Sequence, residues 1–254
     1  MKVELISVTP DAWNLLLGTK STRMRGADPA TMTDAERNEH WKYMLDTIRS
    51  PFEFVDYIFQ IEGVSKNFTH QLVRTRTGAY QQETSRALNV VDNGSIRPEA
   101  FGPDNTELFR IWEDAVAEVE GAYLLLLERG AALQDARAIL PSNMATKIAA
   151  KFNLRTLSDM AKVRLCTRTQ GEYQQAFRLM REAVLSVHPW AEPLLQVACV
   201  ASGQCAFPRH GKQHCRFFKP WMDLEAQKEE LRNEFWTSDL TTNNPVASGG
   251  KSTG

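Results

Sequence analysis

Apolar and polar residues alternate from Val3 to Val8 and then meet Pro10, which predicts a first strand and a turn into a helix over residues 11–17. Residues 18–33 read as a loop. After Thr33, a good N-cap, the spacing of Trp41, Met44, Leu45 and Ile48 predicts a helix that stops before Pro51. Residues 54–61 read as a second strand. Ser65 suits the N-cap of a short helix running to about Thr75, with Phe68 and Leu72 on one face and Gln71 and Arg74 on its neighbour. Asn93-Gly94, Pro98, Gly102 and Pro103 interrupt residues 87–104, so this stretch is predicted to be a long loop with a lid or binding role. Leu108, Trp112, Val116, Val119, Tyr123 and Leu127 give the most regular helical repeat, over residues 107–128, with Gly130 as its stop. A short helix to Ile139 and Pro141 follow. Residues 144–152 fit a strand without deciding it, and helices are predicted over 155–165 and 171–187. The pattern describes one globular domain over residues 1–236. The tail after Thr237, rich in Thr, Asn, Ser and Gly, is predicted to be disordered.

Composition adds limits. With 254 residues, 43% of them hydrophobic and 24% charged, the chain can bury a substantial core. A net charge of −1 argues against a broad nucleic-acid surface, so any anion site has to be local. The apolar run from Gly121 to Leu127 is too short to cross a bilayer, and the opening MKVELISVTP lacks the apolar centre of a signal peptide. A soluble, cytoplasmic protein with no membrane partner is expected. Four cysteines in a chain of this length make no disulfide framework and read as reduced thiols. Cys199, Cys205, His210, His214 and Cys215 are competent zinc ligands, but they lack the close C-x2-C knuckle of a finger. No metal is expected there.

Chemistry concentrates in residues 71–86, QLVRTRTGAYQQETSR, where three arginines, several amides and the hydroxyls of three threonines and one serine surround Gly78. Guanidinium forks match phosphate oxygens, hydroxyls complete such a shell, and amides can pair with a pyrimidine edge. On composition alone the same segment also suits a solvated helix and a polar turn.

Its order resembles the signature of the flavin-dependent thymidylate synthase family, R-H-R-x-x-S-x-N-x-x-S-x-R. Arg74, Arg76 and Arg86 take the arginine positions and Thr84 the last hydroxyl, while Thr75, Ala79 and Gln81 replace histidine, serine and asparagine. SPFE at residues 50–53 resembles the family's S/T-P-x-E-H element, with Phe54 in the place of its histidine. ARAILP at 136–141, NLRTL at 153–157 and RLCTRTQGE at 164–172 follow in family order.

The resemblance implies an α+β, flavin-dependent thymidylate synthase-like fold: a central mixed or antiparallel sheet with flanking long helices, forming a homotetramer. It implies transfer of a one-carbon unit from methylenetetrahydrofolate to C5 of dUMP, giving dTMP, with FAD carrying the hydride and NADPH as reductant. Gln71, Arg74, Gln82, Thr84, Ser85, Arg86, Arg137 and Arg164 would bind the nucleotide. Arg86 and Arg137 would clamp its phosphate, and catalysis would fall on Arg164, Arg74 and Thr84. Ser50, Glu53, Arg74, Thr75, Arg76, Thr77, Asn153, Arg155 and Asp159 would hold FAD, drawn from different subunits. No enzymic cysteine nucleophile is implied, and Cys166 reads as a packed helix thiol.

The departures cluster. Two family histidines are replaced by Thr75 and Ile48, Gln82 stands where an acid is usual, and Asp159 where asparagine is common. Threonine cannot stack or carry positive charge, so folate binding or methylene transfer is the affected step. The methyl group of Thr84 stiffens its rotamer, and an aspartate cannot donate asparagine's hydrogen bond. The same reaction, methylation or hydroxymethylation of another pyrimidine nucleotide, and nucleotide or flavin binding without catalysis all remain open at this point.

Overall fold

The computed structural model describes residues 1–24, 28–89, 91–102, 105–218 and 232–237. In chain order the elements are β1 (Lys2–Val8), α1 (Ala12–Met24), α2 (Asp34–Asp46), β2 (Asp56–Ser65), α3 (Lys66–Leu72), β3 (Ala79–Gln82), α4 (Thr106–Glu128), α5 (Leu133–Ala136), β4 (Ala145–Asn153), α6 (Leu154–Arg164), α7 (Gly171–Val187), α8 (Ala198–Ser202) and α9 (Pro208–His214), with single 3-10 turns between some of them. The class is α+β. Four strands form one sheet in the order β1-β2-β4-β3, and β3 runs antiparallel to β4. No helix among the described residues is long and apolar enough to cross a membrane. The tail after Thr237 lies outside the described residues.

Chain contacts divide the molecule into two compact units. The first comprises Met1–Ile6 and Ile58–Lys151 and holds most of the sheet. Phe59, Ile61, Phe68, Leu72, Tyr123 and Ile148 are fully buried in it. Residues 145–153, undecided from sequence, form a strand whose burial largely alternates, with Ala145, Ile148, Ala150 and Phe152 buried. Ser65 caps α3 as expected, its Oγ accepting from the Phe68 N–H at 3.0 Å. The helix ends at Leu72, before the expected Thr75. Gly130 closes α4 in the left-handed region at φ 87°. Its N–H reaches the Leu127 carbonyl and that of Ala131 reaches Leu126, both at 3.0 Å, which satisfies two terminal carbonyls.

The second unit comprises Ser7–Tyr57 and the described residues from Phe152 onward. Two expectations are corrected here. Residues 18–24 extend α1 where a loop was expected, and the threonine hydroxyls that would compete for the backbone are satisfied within the helix: Thr19 donates to the Leu15 carbonyl and Thr22 to the Gly18 carbonyl, both at 2.9 Å. Residues 54 and 55 precede β2, because Pro51 opens a 3-10 turn over Ser50–Phe54. The cap at Thr33 is a full capping box with Glu36.

The core of this unit is aromatic. Trp13, Trp41 and Trp190 lie 5.3 to 5.4 Å apart by ring centroid, and Phe52 meets Trp41 edge-on at 5.8 Å. The His188 ring lies 4.8 Å from Trp190, and its Nδ1 is 2.9 Å from the Tyr57 hydroxyl. Burial holds the His188 imidazole below its ordinary value of 6.5. A histidine held down in the fold binds its proton less readily there than in the unfolded chain, so its contribution is complete above pH 6.5 and is lost as pH falls from there through the lowered folded value. Thermal unfolding measured between pH 7.5 and 5 is therefore expected to show a fall in midpoint on the acid side, and His188→Gln is expected to flatten that slope. An unchanged slope in the variant would count against this assignment.

Candidate functional site

In the first unit the arginine-rich segment leaves α3 as a tight turn. The N–H groups of Arg74 and Thr75 return to the carbonyls of Gln71 and Leu72, and that of Gly78 returns to Thr75. The hydroxyl of Tyr80 points at the same turn, 2.6 Å from the Thr75 carbonyl and 3.1 Å from that of Leu72. Arg74, Arg76 and Thr77 are exposed at the turn, with Gln71 and Thr75 half-buried. Neither guanidinium forms an ion pair with a described residue. The turn is held by backbone and phenol, which leaves its charges free for a ligand.

β3 carries the chain onward in register with β4, pairing Tyr80 with Ala150 and Gln82 with Ile148. Tyr80 and Gln82 share a half-buried face, where Gln82 Nε2 lies 3.5 Å from Thr146 Oγ1. Beyond the strand, Thr84 Oγ1 accepts from the Arg86 N–H at 3.1 Å and both residues are exposed. Ser85, 7% exposed, turns inward and accepts from Lys66 Nζ at 3.0 Å. Arg137 opens the 3-10 turn after α5, its Nε donating to the Gln134 carbonyl at 3.1 Å. It stands close enough to Lys66 to oppose the lysine's charge. The predicted loop is strapped to the start of β4: Ser95 bridges Met144, the Ala145 N–H donates to the Gly94 carbonyl, and Asn93 donates to Glu83.

In the second unit the Ser50–Phe54 turn packs against α6 and gathers most of the remaining candidates. Pro51 and Phe52 are buried, which leaves Ser50, Glu53 and Phe54 exposed. Glu53 is ion-paired with Arg155. Asp159, one turn further along α6, accepts from Lys162 at 2.9 Å and from Arg49 at 3.4 Å. The carboxylate standing for asparagine thus has two cations beside it. Asn153 is the N-cap of α6, its Oδ1 accepting from the Thr156 N–H at 2.8 Å, so only its amide N–H2 is left for a ligand. Arg164 lies at the other end of α6, with its guanidinium 4.3 Å over the ring of the buried Tyr173. Stacking fixes its plane. Of the replaced histidine positions, Ile48 is half-buried, while Phe54 is 56% exposed.

All four cysteines are free thiols. Burial and the neighbouring thiols push Cys199 up to about 12, and burial raises Cys166, so neither is a ready thiolate at neutral pH. Among the described residues, no three His, Cys, Asp or Glu side chains are set to hold a metal ion.

Sequence reading missed Lys66, Arg49 and the role of Tyr80. Each acts on a partner supplied by the fold. The Lys66–Ser85 and Arg49–Asp159 meetings span 19 and 110 residues, distances over which no local periodicity carries a signal.

In the first unit two guanidinia without an ion-pair partner among the described residues stand on a pinned turn, and a buried serine lies beside a lysine; in the second, exposed ionic groups line one helix. The sequence profile of the thymidylate synthase complementing protein family matches residues 4–190, and the chain belongs to that family. The flavin-dependent thymidylate synthase of Pyrococcus abyssi is 35% identical over 166 residues, covering 61% of this chain and 67% of the relative. That of Sulfurisphaera tokodaii is 35% identical over 197 residues, covering 74% and 75%. Among solved structures, the UMP/dUMP methylase PolB from Streptomyces cacaoi, bound with 5-Br dUMP, matches with a TM-score of 0.64 at 18% identity over 76% of this chain and 93% of its own. At that identity the match speaks for the fold.

Tyr80→Phe removes the hydroxyl that holds the arginine turn while keeping the ring. Stability is expected to fall by about 1 to 2 kcal/mol in urea unfolding, in line with loss of a part-buried hydrogen bond. A variant as stable as the parent would show that the backbone holds the turn by itself.

Proposed function

We propose that this chain is a flavin-dependent methyltransferase that moves a one-carbon unit from methylenetetrahydrofolate to C5 of dUMP, giving dTMP. The observation that carries the reading is the arginine set at Arg74, Arg76 and Arg86, none of them ion-paired with a described residue, in a chain of this family. Arg86 and Arg137 clamp the nucleotide's phosphate, with Thr84 and Ser85 completing the shell. Gln71 and Gln82 offer amides to the pyrimidine edge, and Arg74 joins them. Arg164, its plane fixed on Tyr173, favours negative charge as it develops on the ring.

The donor set also fits a flavin dinucleotide. Arg74 and Arg76 present free cations suited to a pyrophosphate, with Thr75, Thr77 and Ser50 adding hydroxyls. Glu53 and Arg155 hold each other in place, Asn153 offers its amide N–H2, and Asp159 is held by Arg49 and Lys162. When bound, FAD supplies the hydride chemistry, with NADPH as its reductant. Raised thiols at Cys166 and Cys199 agree with a scheme that uses no cysteine nucleophile.

Assembly as a cytoplasmic homotetramer, with sites drawn from more than one subunit, completes the reading. Its support is α4, on which Leu108, Ile111, Leu124, Leu125 and Leu126 are all exposed, Ile111 at 60%. Tyr123 is its buried side chain. Light scattering on the purified protein is expected to give the mass of four chains, and Ile111→Glu with Leu125→Glu to reduce it. A monomeric parent protein would remove this part of the proposal.

A second reading is favoured by the substitutions at Thr75, Ala79, Gln82 and Thr84: the accepted nucleotide is another pyrimidine, or the product is hydroxymethylated. Mass spectrometry of products separates the two. The protein is incubated with FAD, NADPH, methylenetetrahydrofolate and, in turn, dUMP, UMP and dCMP. A one-methyl gain on dUMP alone is expected. A gain on UMP or dCMP, or a hydroxymethyl mass, selects the second reading. No product, with dUMP bound, leaves a nucleotide-binding protein without turnover.

A further inference from the structure

Lys66 belongs to none of the motifs that drew attention to residues 71–86, yet it lies among the groups assigned to the nucleotide phosphate. It is the first residue of α3, and its stem is fixed by backbone bonds on either side of its own side chain. The Lys66 N–H donates to the Met144 carbonyl at 3.1 Å, and that of Asn67 to the Ser142 carbonyl at 2.8 Å. From there Nζ donates to Ser85 Oγ at 3.0 Å. Because the serine oxygen accepts this bond, its own proton is free to be donated elsewhere.

The charges around Lys66 do not balance locally. Its ammonium forms no ion pair with a described carboxylate, and neither does Arg137. Glu83 is near enough to attract the lysine, but its carboxylate is held by Asn93 at 2.9 Å. Burial and the Arg137 charge both lower the Lys66 ammonium from its ordinary value of 10.5, and together they outweigh the opposing pull of the one nearby carboxylate, Glu83. The remaining N–H groups of Lys66, the terminal nitrogens of Arg137 and the Ser85 hydroxyl make a surplus of donors over acceptors. A tetrahedral dianion has the charge and the lone pairs to satisfy that surplus.

We infer that Lys66 is a phosphate-binding residue, which together with Ser85 and Arg137 receives the 5′-phosphate of the pyrimidine nucleotide. This rests on the nucleotide reading given above. Lysine here acts as a compact point charge, while Arg137 brings a fork, so the two divide attraction and orientation between them. The assignment also gives Ser85 a role: Lys66 occupies its oxygen as an acceptor, which leaves its proton to be donated to the phosphate.

Binding of dUMP and of deoxyuridine to the FAD-loaded protein, measured by calorimetry for the parent, Lys66→Met and Lys66→Arg, tests the inference. Lys66→Met is expected to weaken dUMP binding about tenfold or more, the scale of one hydrogen bond to a charged group. Lys66→Arg is expected to restore most of that loss, and thermal unfolding of both variants to match the parent. Deoxyuridine, which has no phosphate, is expected to bind all three alike or to none of them. Unchanged dUMP affinity in Lys66→Met overturns the inference, as does a loss that Lys66→Arg fails to restore, or an equal loss for deoxyuridine. A parent protein that fails to bind dUMP overturns the nucleotide reading and this assignment with it, an outcome distinct from the others.

Discussion

A guanidinium that is to meet a ligand's phosphate must be held in place without a protein carboxylate, because an internal ion pair would occupy the fork that the ligand needs. That constraint shapes the first unit. Arg74 and Arg76 stand on a turn fixed by three backbone bonds and by the Tyr80 hydroxyl, all of them neutral contacts. The position of Tyr80 depends in turn on the pairing of β3 with β4. A slip of one residue would carry its ring to the opposite face of the sheet and release the turn. The placement of two exposed charges thus traces back to the register of a four-residue strand.

The second unit handles its charges in the opposite way. Glu53 pairs with Arg155, and Asp159 lies between Arg49 and Lys162, all near the surface. Exposed pairs of this kind contribute about 1 kcal/mol or less, so their effect is chiefly to orient side chains. The Ser50–Phe54 turn derives its own stability from the buried Pro51 and Phe52, the latter edge-on to Trp41 of the tryptophan cluster. Burial and exposed polarity therefore fall on different sides of one short turn. Its apolar residues anchor it, and its polar residues face solvent.

The parts of the fold legible in the sequence are those fixed by neighbours along the chain. The Thr33 capping box, the Ser65 cap, the Gly130 stop and the bounds of α7 all depend on residues a few positions apart. Local pattern failed at residues 18–24, which read as a loop but continue α1, with Thr19 and Thr22 bonded back onto their own helix. For the candidate site, the ordered arginines were visible because a motif is itself local. The partners that position them were not. Lys66 with Ser85, and Arg49 with Asp159, meet only after folding, and the Tyr80 hydroxyl finds its partners only once the turn has formed.

α4 presents the remaining problem of balance. Its regular apolar repeat reads as a core helix, yet Tyr123 is the buried residue and Leu124, Leu125 and Leu126 are all exposed. Three successive leucines occupy about 300° of a helix with 3.6 residues per turn, counting the arc each side chain covers, so no single neighbour could shelter them all. At 39 to 50% exposure, each forfeits on the order of half of the roughly 1.5 to 3 kcal/mol that full burial of such a side chain contributes. A helix of 23 residues with apolar side chains facing several directions is suited to be surrounded by other surfaces. In the proposed homotetramer, further copies of the chain supply those surfaces. Assembly and ligand binding then become linked: if subunits share the site, the apolar area that joins them also fixes the distance between the ligand-binding groups each contributes, and weakening that area would lower ligand affinity without touching a ligand-binding residue.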